Sequence, residues 1–388
     1  MAYELYLRVY DRAGVLKKGF VPVIWARYTD EVNSAEPLVF AMNVETDGAT
    51  DFAEFDIIEV MIRNLSLNLA SAEGGFVRSY LAILRDWVLS TDENGVSFIE
   101  FTAPGINHIL DLRSIEWYSG TVNRSTFENV AAETILKLLV AYNCTALASI
   151  SNGRLRNGDL LPGMGYDIQL GYDYGAGNIS SISFRGGRLL ASLQKVINKA
   201  GGDFGLTWLG GDDWLFEFYP GQLGVDKSSG SDQVVFSLEK NTMRNPRLFR
   251  TGAKASVAIS AGEGRGNQRE TSTVFGDDYA LNYDIETFVD ARQEKTAAGR
   301  VYRGNLKLAD KRIQERLEFE IIQTGDQFYS PIEIAGRKTF KPGDLALAVY
   351  PDDRVVKIEA VNVYWSDPSA EDAFIVDITT REVVLDGS

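Results

Sequence analysis

Histidine and cysteine each occur once in this chain, at His108 and Cys144. One of each cannot assemble the usual His and Cys set around zinc. A Ser–His–Asp triad would need His108 as its base, yet no Gly-x-Ser-x-Gly nucleophile elbow occurs in the sequence. His108, within Ile106-Asn107-His108-Ile109-Leu110, is therefore expected to be structural. Cys144 closes a helical stretch and reads as a small packed residue rather than a nucleophile. A single cysteine also excludes an intrachain disulfide and suits folding in a reducing cytoplasm.

The remaining chemistry-bearing patterns have plainer readings. Gly262-Glu263-Gly264-Arg265-Gly266 is the most glycine-dense cluster, but no Lys-Ser/Thr follows it and the next element reads as a strand. A phosphate cradle needs Gly-x-x-x-x-Gly-Lys-Ser/Thr, or Gly-x-Gly-x-x-Gly opening a helix, so a tight turn between strands is expected. Asp212-Asp213, Asp277-Asp278 and Asp352-Asp353 are candidates for a cation or a glycosidase carboxylate pair. Glycoside hydrolysis requires two carboxylates facing across a cleft. Among 54 acidic residues, and without an Asp-x-Asp-x-Asp-Gly calcium loop, these pairs read as solvated turns. Arg244, Arg247 and Arg250 read as an interface or salt-bridge strip rather than a nucleic-acid patch. No catalytic, metal or cofactor-binding residue is assigned, and no enzyme activity is expected.

What must carry the function is then the fold. At 388 residues the chain is too long for one ordinary core and suggests two to four domains. Hydrophobic residues make up 45% and charged residues 24%, values of a globular protein. Seventeen Tyr, 20 Phe and 6 Trp suit strands and large protein interfaces. No run of 18 apolar residues is present, so no membrane insertion is expected, and the N-terminus lacks the basic and apolar blocks of a signal peptide. The net charge of −15 repels duplex DNA, which disfavours gripping phosphates and suits a wall past which nucleic acid slides.

Period-two alternation predicts strands over residues 3–10, 21–28, 38–44 and 56–63, with a turn at Thr46-Asp47-Gly48. Residues 80–90 and 96–102 read as a hairpin across Asp92-Glu93-Asn94-Gly95. Residues 1–105 thus form one antiparallel barrel or sandwich. Ser125 with Glu128 matches a capping box, and Phe127, Val130, Ala131, Ile135, Leu138, Leu139 and Tyr142 recur at helical spacing behind it. Residues 149–187 read mostly as loop with short strands. A second helix spans 188–200 and stops at Gly201-Gly202, with a hairpin of residues 204–208 and 214–219 behind it. Residues 106–240 are an α+β insertion. In 241–388, strands at 248–249, 256–260 and 270–275 precede a weaker helix over 296–313, interrupted by Gly299 and Gly304. The run 317–322, the turn Lys341-Pro342-Gly343-Asp344 and three final strands complete a second barrel.

The two ends echo each other. Asp56-Ile57-Ile58-Glu59-Val60 matches Asp344-Leu345-Ala346-Leu347-Ala348-Val349 in pattern, and Phe98-Ile99-Glu100-Phe101-Thr102 parallels Phe374-Ile375-Val376-Asp377-Ile378-Thr379. The fold class is therefore α+β, mainly β, with two antiparallel β-barrel domains and α/β insertions.

Several segments, taken in order, resemble the tail hub proteins of long-tailed phages. They are Val23-Ile24-Trp25-Ala26-Arg27-Tyr28, residues 35–44, the helix 188–200 with its aromatic hairpin, Glu286-Thr287-Phe288-Val289-Asp290-Ala291-Arg292-Gln293, Leu317-Glu318-Phe319-Glu320-Ile321, Pro342-Gly343-Asp344-Leu345 and Lys357-Ile358-Glu359-Ala360-Val361. That family, the baseplate hub or tail tip, is similar to contractile-tail hubs and to the base of type VI secretion spikes. The resemblance implies a structural virion protein at the tail tip, made in the host cytoplasm. It implies a homotrimer whose two barrels alternate in a pseudo-sixfold ring. The implied partners are the distal tail protein or tail tube ring, the tape-measure protein, and tip or fibre proteins. DNA would pass through the lumen at ejection without specific binding. Little sequence follows the last strand, so no fused hydrolase is expected. The competing readings are a virion polysaccharide-degrading enzyme using paired carboxylates, and a carbohydrate-binding module with aromatics on an exposed face.

Overall fold

The computed structural model describes residues 3–382 apart from 47, 48, 50, 66–73, 92–94, 119, 122, 123, 158–166, 185, 266, 267, 277, 278, 280–283, 293, 295, 310, 312, 313, 325 and 367–373. The chain divides into two compact units, Met1–Pro246 with Phe319–Ser388, and Arg247–Glu318. Strands dominate and helices are few, as the α+β, mainly β reading requires.

Two sheets organise the ends of the chain. A four-stranded sheet runs Leu16–Val21, Tyr3–Tyr10, Ile57–Asn64, Val77–Ile83. The largest sheet follows an eight-strand path: Met243–Thr251, Gln314–Ile321, Phe374–Glu382, Asp353–Ser366, Trp25–Glu31, Pro37–Asn43, Ser97–Pro104, Asp86–Thr91. Leu345–Val349 branches from Asp353–Ser366 and takes Val235–Ser237 as a parallel partner. Alternation explains the strands: in Tyr3–Tyr10 and Ser97–Pro104 the buried side chains fall largely on one face. Among the described strands no sheet closes on itself. The large sheet also runs across residues 105 and 241, because Trp25–Glu31 pairs antiparallel with Asp353–Ser366.

Local readings fail in identifiable ways. The run expected over 21–28 is two strands, Leu16–Val21 and Trp25–Glu31. The stretch expected as one strand over 80–90 breaks at Leu84–Arg85, so that Val77–Ile83 joins one sheet and Asp86–Thr91 the other. Asp86–Thr91 still pairs antiparallel with Ser97–Pro104; the turn residues 92–94 between them, like Asp47 and Gly48, lie outside the described residues. The capping box is absent: Ser125 sits in the strand Arg124–Ala131, where its hydroxyl donates to the Trp117 carbonyl and its backbone pairs with Phe184. A register shift between Phe127 and Val130, with Asn129 at φ 55, produced the helix-like spacing.

The true helix, Ala132–Cys144, packs with Leu189–Ala200 over the hairpin Asp203–Gly210 and Asp213–Tyr219. Leu136, Leu139, Leu193, Val196, Phe204 and Trp214 form much of that core. In the second unit Val257–Ala261 lies between Thr271–Phe275 and Glu286–Asp290, and the helix Ala297–Ala309 covers Ala258 and Val274 with Leu308. Gly304 is needed there, since a Cβ would come within 2.6 Å of Val274 Cγ2. Packing thus explains a glycine that intrinsic propensity penalises. The side chains of Leu306 and Ala309, and residues 312–313, are outside the description.

Candidate assembly surface

The residues flagged for chemistry are accounted for by local structure. His108 opens a short helix, and its Nε2 lies 3.0 Å from Arg85 Nη1. A guanidinium can only donate, so Nε2 accepts and the proton sits on Nδ1. Burial, then the Arg85 charge, lowers the His108 pKa and keeps the ring neutral. Cys144 is fully buried, and burial pushes its thiol up to about 12. It is not poised to attack anything.

Gly262 and Gly264 belong to the turn between two antiparallel strands, with Gly264 at φ 119. The Gly262 N–H already donates to the Glu270 carbonyl, 2.8 Å, and Arg269 donates to the carbonyls of Ala261 and Gly262. The turn is tied down by an arginine, not opened for an anion; Gly266 lies outside the description. Asp212-Asp213 and Asp352-Asp353 sit at hairpin turns, and Asp277-Asp278 lies outside the described residues. No group of three or more His, Cys, Asp or Glu side chains suited to a metal occurs among the described residues. Arg244 and Arg250 pair across strands with Glu320 and Glu315, and Arg247 is exposed on the same strand.

Buried ionic pins escaped sequence reading. Asp56 is 2% exposed and Asp344 is fully buried. Each accepts from the backbone N–H three residues earlier, Ala53 at 2.8 Å and Lys341 at 3.1 Å. Each also meets a lysine from upstream, Lys17 at 2.7 Å and Lys227 at 3.1 Å. Those lysines in turn donate to a nearby carbonyl, of Asp51 and Thr339 respectively. The signal was present in the echo of Asp56 and Asp344 ahead of matching strands.

The large sheet carries the same repetition. The first set in chain order is Trp25–Glu31, Pro37–Asn43, Asp86–Thr91, Ser97–Pro104. The second is Met243–Thr251, Gln314–Ile321, Asp353–Ser366, Phe374–Glu382. Read across the sheet in one direction, each set appears as third, fourth, second, first. The central joint pairs the first strand of one set with the third of the other. The two outer edges are the remaining third and first strands, Asp86–Thr91 and Met243–Thr251. The first of these edges exposes Trp87 (61%), Val88 (59%) and Leu89 (57%), and exposed apolar edge strands are templates for pairing.

A family model for siphovirus ReqiPepy6 Gp37-like proteins matches residues 81–371. The chain belongs to this Gp37-like family. Among solved structures, the tail protein from Neisseria meningitidis MC58 superposes with a TM-score of 0.57 at 12% identity, covering 98% of this chain and 97% of that one. The prophage tail protein gp18 from Listeria monocytogenes EGD-e gives 0.51 at 11% identity, over 96% and 94%. A third structure, an E. coli type VI secretion component, scores 0.45 at 9% identity over 93% and 74%, too low to carry weight. The Gp37-like protein thus has the fold of phage tail proteins. No curated protein sequence matches it.

Proposed function

We propose that this Gp37-like chain is a structural tail hub of the virion, a homotrimer that forms a pseudo-sixfold ring at the tail tip. The repeated strand order carries the reading. Each chain joins its two four-strand sets through Trp25–Glu31 and Asp353–Ser366. The free edges, Asp86–Thr91 and Met243–Thr251, are the equivalents of those two strands. Pairing the edge of one chain with the opposite edge of the next repeats the internal joint, and a head-to-tail contact of this kind closes into a ring when its rotation allows. Three chains then present six copies of one pattern, a match for a sixfold tail tube or distal tail ring. In this reading residues 1–105 and 241–388 supply two β-barrel domains, and residues 106–240 the α+β insertion.

The ring would leave a lumen for DNA and the tape-measure protein, with tip or fibre proteins bound beyond it. Three copies at −15 each carry 3 × (−15) = −45, which keeps DNA from adhering. The chain acts here by assembly, with no reaction of its own. Cryo-electron microscopy of assembled tails tests this directly. The expected density is three copies around the tail axis at the tip, joined edge to edge through residues 86–91 and 243–251. A peripheral position, or another copy number around the axis, refutes it.

A further inference from the structure

The segment 171–178, Gly171-Tyr172-Asp173-Tyr174-Gly175-Ala176-Gly177-Asn178, has no regular secondary structure, yet buried side chains hold it. Glu133 Oε2 accepts from the N–H of Tyr174 at 3.1 Å and of Ala176 at 2.9 Å. Glu133 Oε1 meets Lys137 Nζ at 2.6 Å, and that ammonium donates to the Tyr172 carbonyl at 2.5 Å. Asp173 Oδ1 accepts from Gly175 N–H and from Thr134 Oγ1, fastening the segment to the same helix. Gly177, at φ 82, lets the chain pass where a Cβ would come within 2.9 Å of Phe218 Cζ. The Glu133 and Lys137 side chains are 4% and 8% exposed.

Burying an ion pair in a helix is rarely a gain in stability over apolar residues of similar volume. Here both charges are used on the backbone of 172–176, so the pair serves to fix that segment. What the segment displays is two aromatic rings. Tyr172 and Tyr174 are 75% and 80% exposed, with centroids 4.8 Å apart at 65°. Rigid, exposed tyrosines offer apolar faces and hydroxyl tips while losing little entropy on binding. We propose that this tyrosine pair is a binding site for neutral carbohydrate, with the apolar C–H faces of a sugar ring packed on the aromatic faces.

The surroundings select that class of ligand. The flanking residues are Gly, Ala, Asp and Asn, which add little side-chain area, so the footprint suits one or two sugar rings. A stable protein interface needs about 800 Å² from each partner. The second oxygen of Asp173 has no partner among the described residues and is free to accept from a sugar hydroxyl. Lys137 is buried and engaged, while Asp173 and, beside Gly171, Glu217 are acidic. The two carboxylates disfavour an anionic polymer.

Saturation-transfer-difference NMR on the full chain tests the site with maltohexaose, laminarihexaose and mannohexaose. Transfer to sugar ring C–H protons is expected with at least one of them. Tyr172→Ala with Tyr174→Ala should weaken binding about tenfold, whereas Tyr172→Phe with Tyr174→Phe, which keeps both rings, should retain most of the transfer. No transfer from any of the three, or transfer untouched by the alanine pair, overturns the proposal. So does protection of both tyrosines by a protein neighbour in assembled tails.

Discussion

Lys357 Nζ lies 2.9 and 2.7 Å from the two carboxylate oxygens of Asp203, in a pair that is 9% and 2% exposed. Asp203 begins the hairpin of Asp203–Gly210 and Asp213–Tyr219, and Lys357 stands in the long strand Asp353–Ser366. The same carboxylate accepts from Asn33 Nδ2 and from the N–H of Leu223. One buried group therefore ties three sequence-distant segments together. Removing only the lysine leaves the carboxylate buried without its counter-charge, which typically costs about 3–5 kcal/mol.

Lys357→Met is accordingly expected to lower stability on that scale, read as the shift of the urea midpoint at constant slope. Adding Asp203→Asn, which keeps the acceptor for Leu223 but removes the charge, should restore most of the loss. If the single variant shifts the midpoint no more than the double, the pair is not what holds this hairpin to the long strand.

A second prediction concerns the Lys341-Pro342-Gly343-Asp344 turn. Gly343 has φ 91, and a Cβ there would lie 2.7 Å from Gly224 N; a Cβ on Gly224 would lie 2.3 Å from Asp344 N. The two glycines let two backbones touch. Gly343→Ala combines left-handed strain with that clash and is expected to cost about 2–4 kcal/mol. Gly205→Ala, where no atom lies within 4 Å of the added Cβ, should change stability by less than about 1 kcal/mol. Parallel thermal melts of the two variants make the comparison, and equal losses would remove the close-approach explanation.

Much of this was legible in the sequence, and the failures have physical causes. Alternation located the strands because one face of each is buried, and Gly201 ended the second helix where expected. What alternation cannot carry is partner choice. Nothing local in Trp25–Glu31 states that it pairs with Asp353–Ser366, since that choice is made by long-range packing. The break at Leu84–Arg85 was invisible because the residues on both sides alternate alike. Its counterpart, Asp353–Ser366, remains one strand and pairs first with Leu345–Val349, then with Phe374–Glu382. Ser125 shows the opposite error: a cap pattern was satisfied by residue types, while the hydroxyl found a strand-side carbonyl. The candidate site was legible only as an echo, in Asp56 and Asp344. The lysines that complete those pins come from distant segments.

Asp30 supplies a pH dependence. It lines a cavity of about 300 Å³ with Glu31, Tyr80, Leu206 and Lys341. Burial raises its pKa to about 7, although the Lys341 charge opposes this. In the unfolded chain the group titrates near 3.8, so between these values the folded state holds the extra proton. Stability from this group is therefore greatest below pH 4 and is lost as pH rises toward 7. Asp30→Asn should flatten that slope and raise stability at pH 8 by on the order of 2 kcal/mol. Denaturation midpoints of both proteins at pH 5 and pH 8 decide it: a wild-type slope retained in the variant assigns the effect elsewhere.

The ring itself is tested at the edge strand. Trp87 and Leu89 are exposed and contribute little to the isolated fold, so Trp87→Ser with Leu89→Ser should leave the melting temperature within a few degrees. If Asp86–Thr91 of one chain pairs with Met243–Thr251 of the next, these side chains become buried on assembly, and their loss removes apolar area from every joint. The variant is then expected to fold yet fail to enter tails, measured by complementation of a phage lacking the wild-type chain and counting complete particles. Exposed surface that plays no part in assembly would tolerate the change, and normal particle yield from this variant would leave the edge-to-edge ring without support. A substitution on the opposite edge supplies the contrast. Arg250→Glu on the opposite edge sets like charge against Glu315, so its effect is expected in both the isolated chain and the particle. The strand 86–91 variant is expected to act in the particle alone.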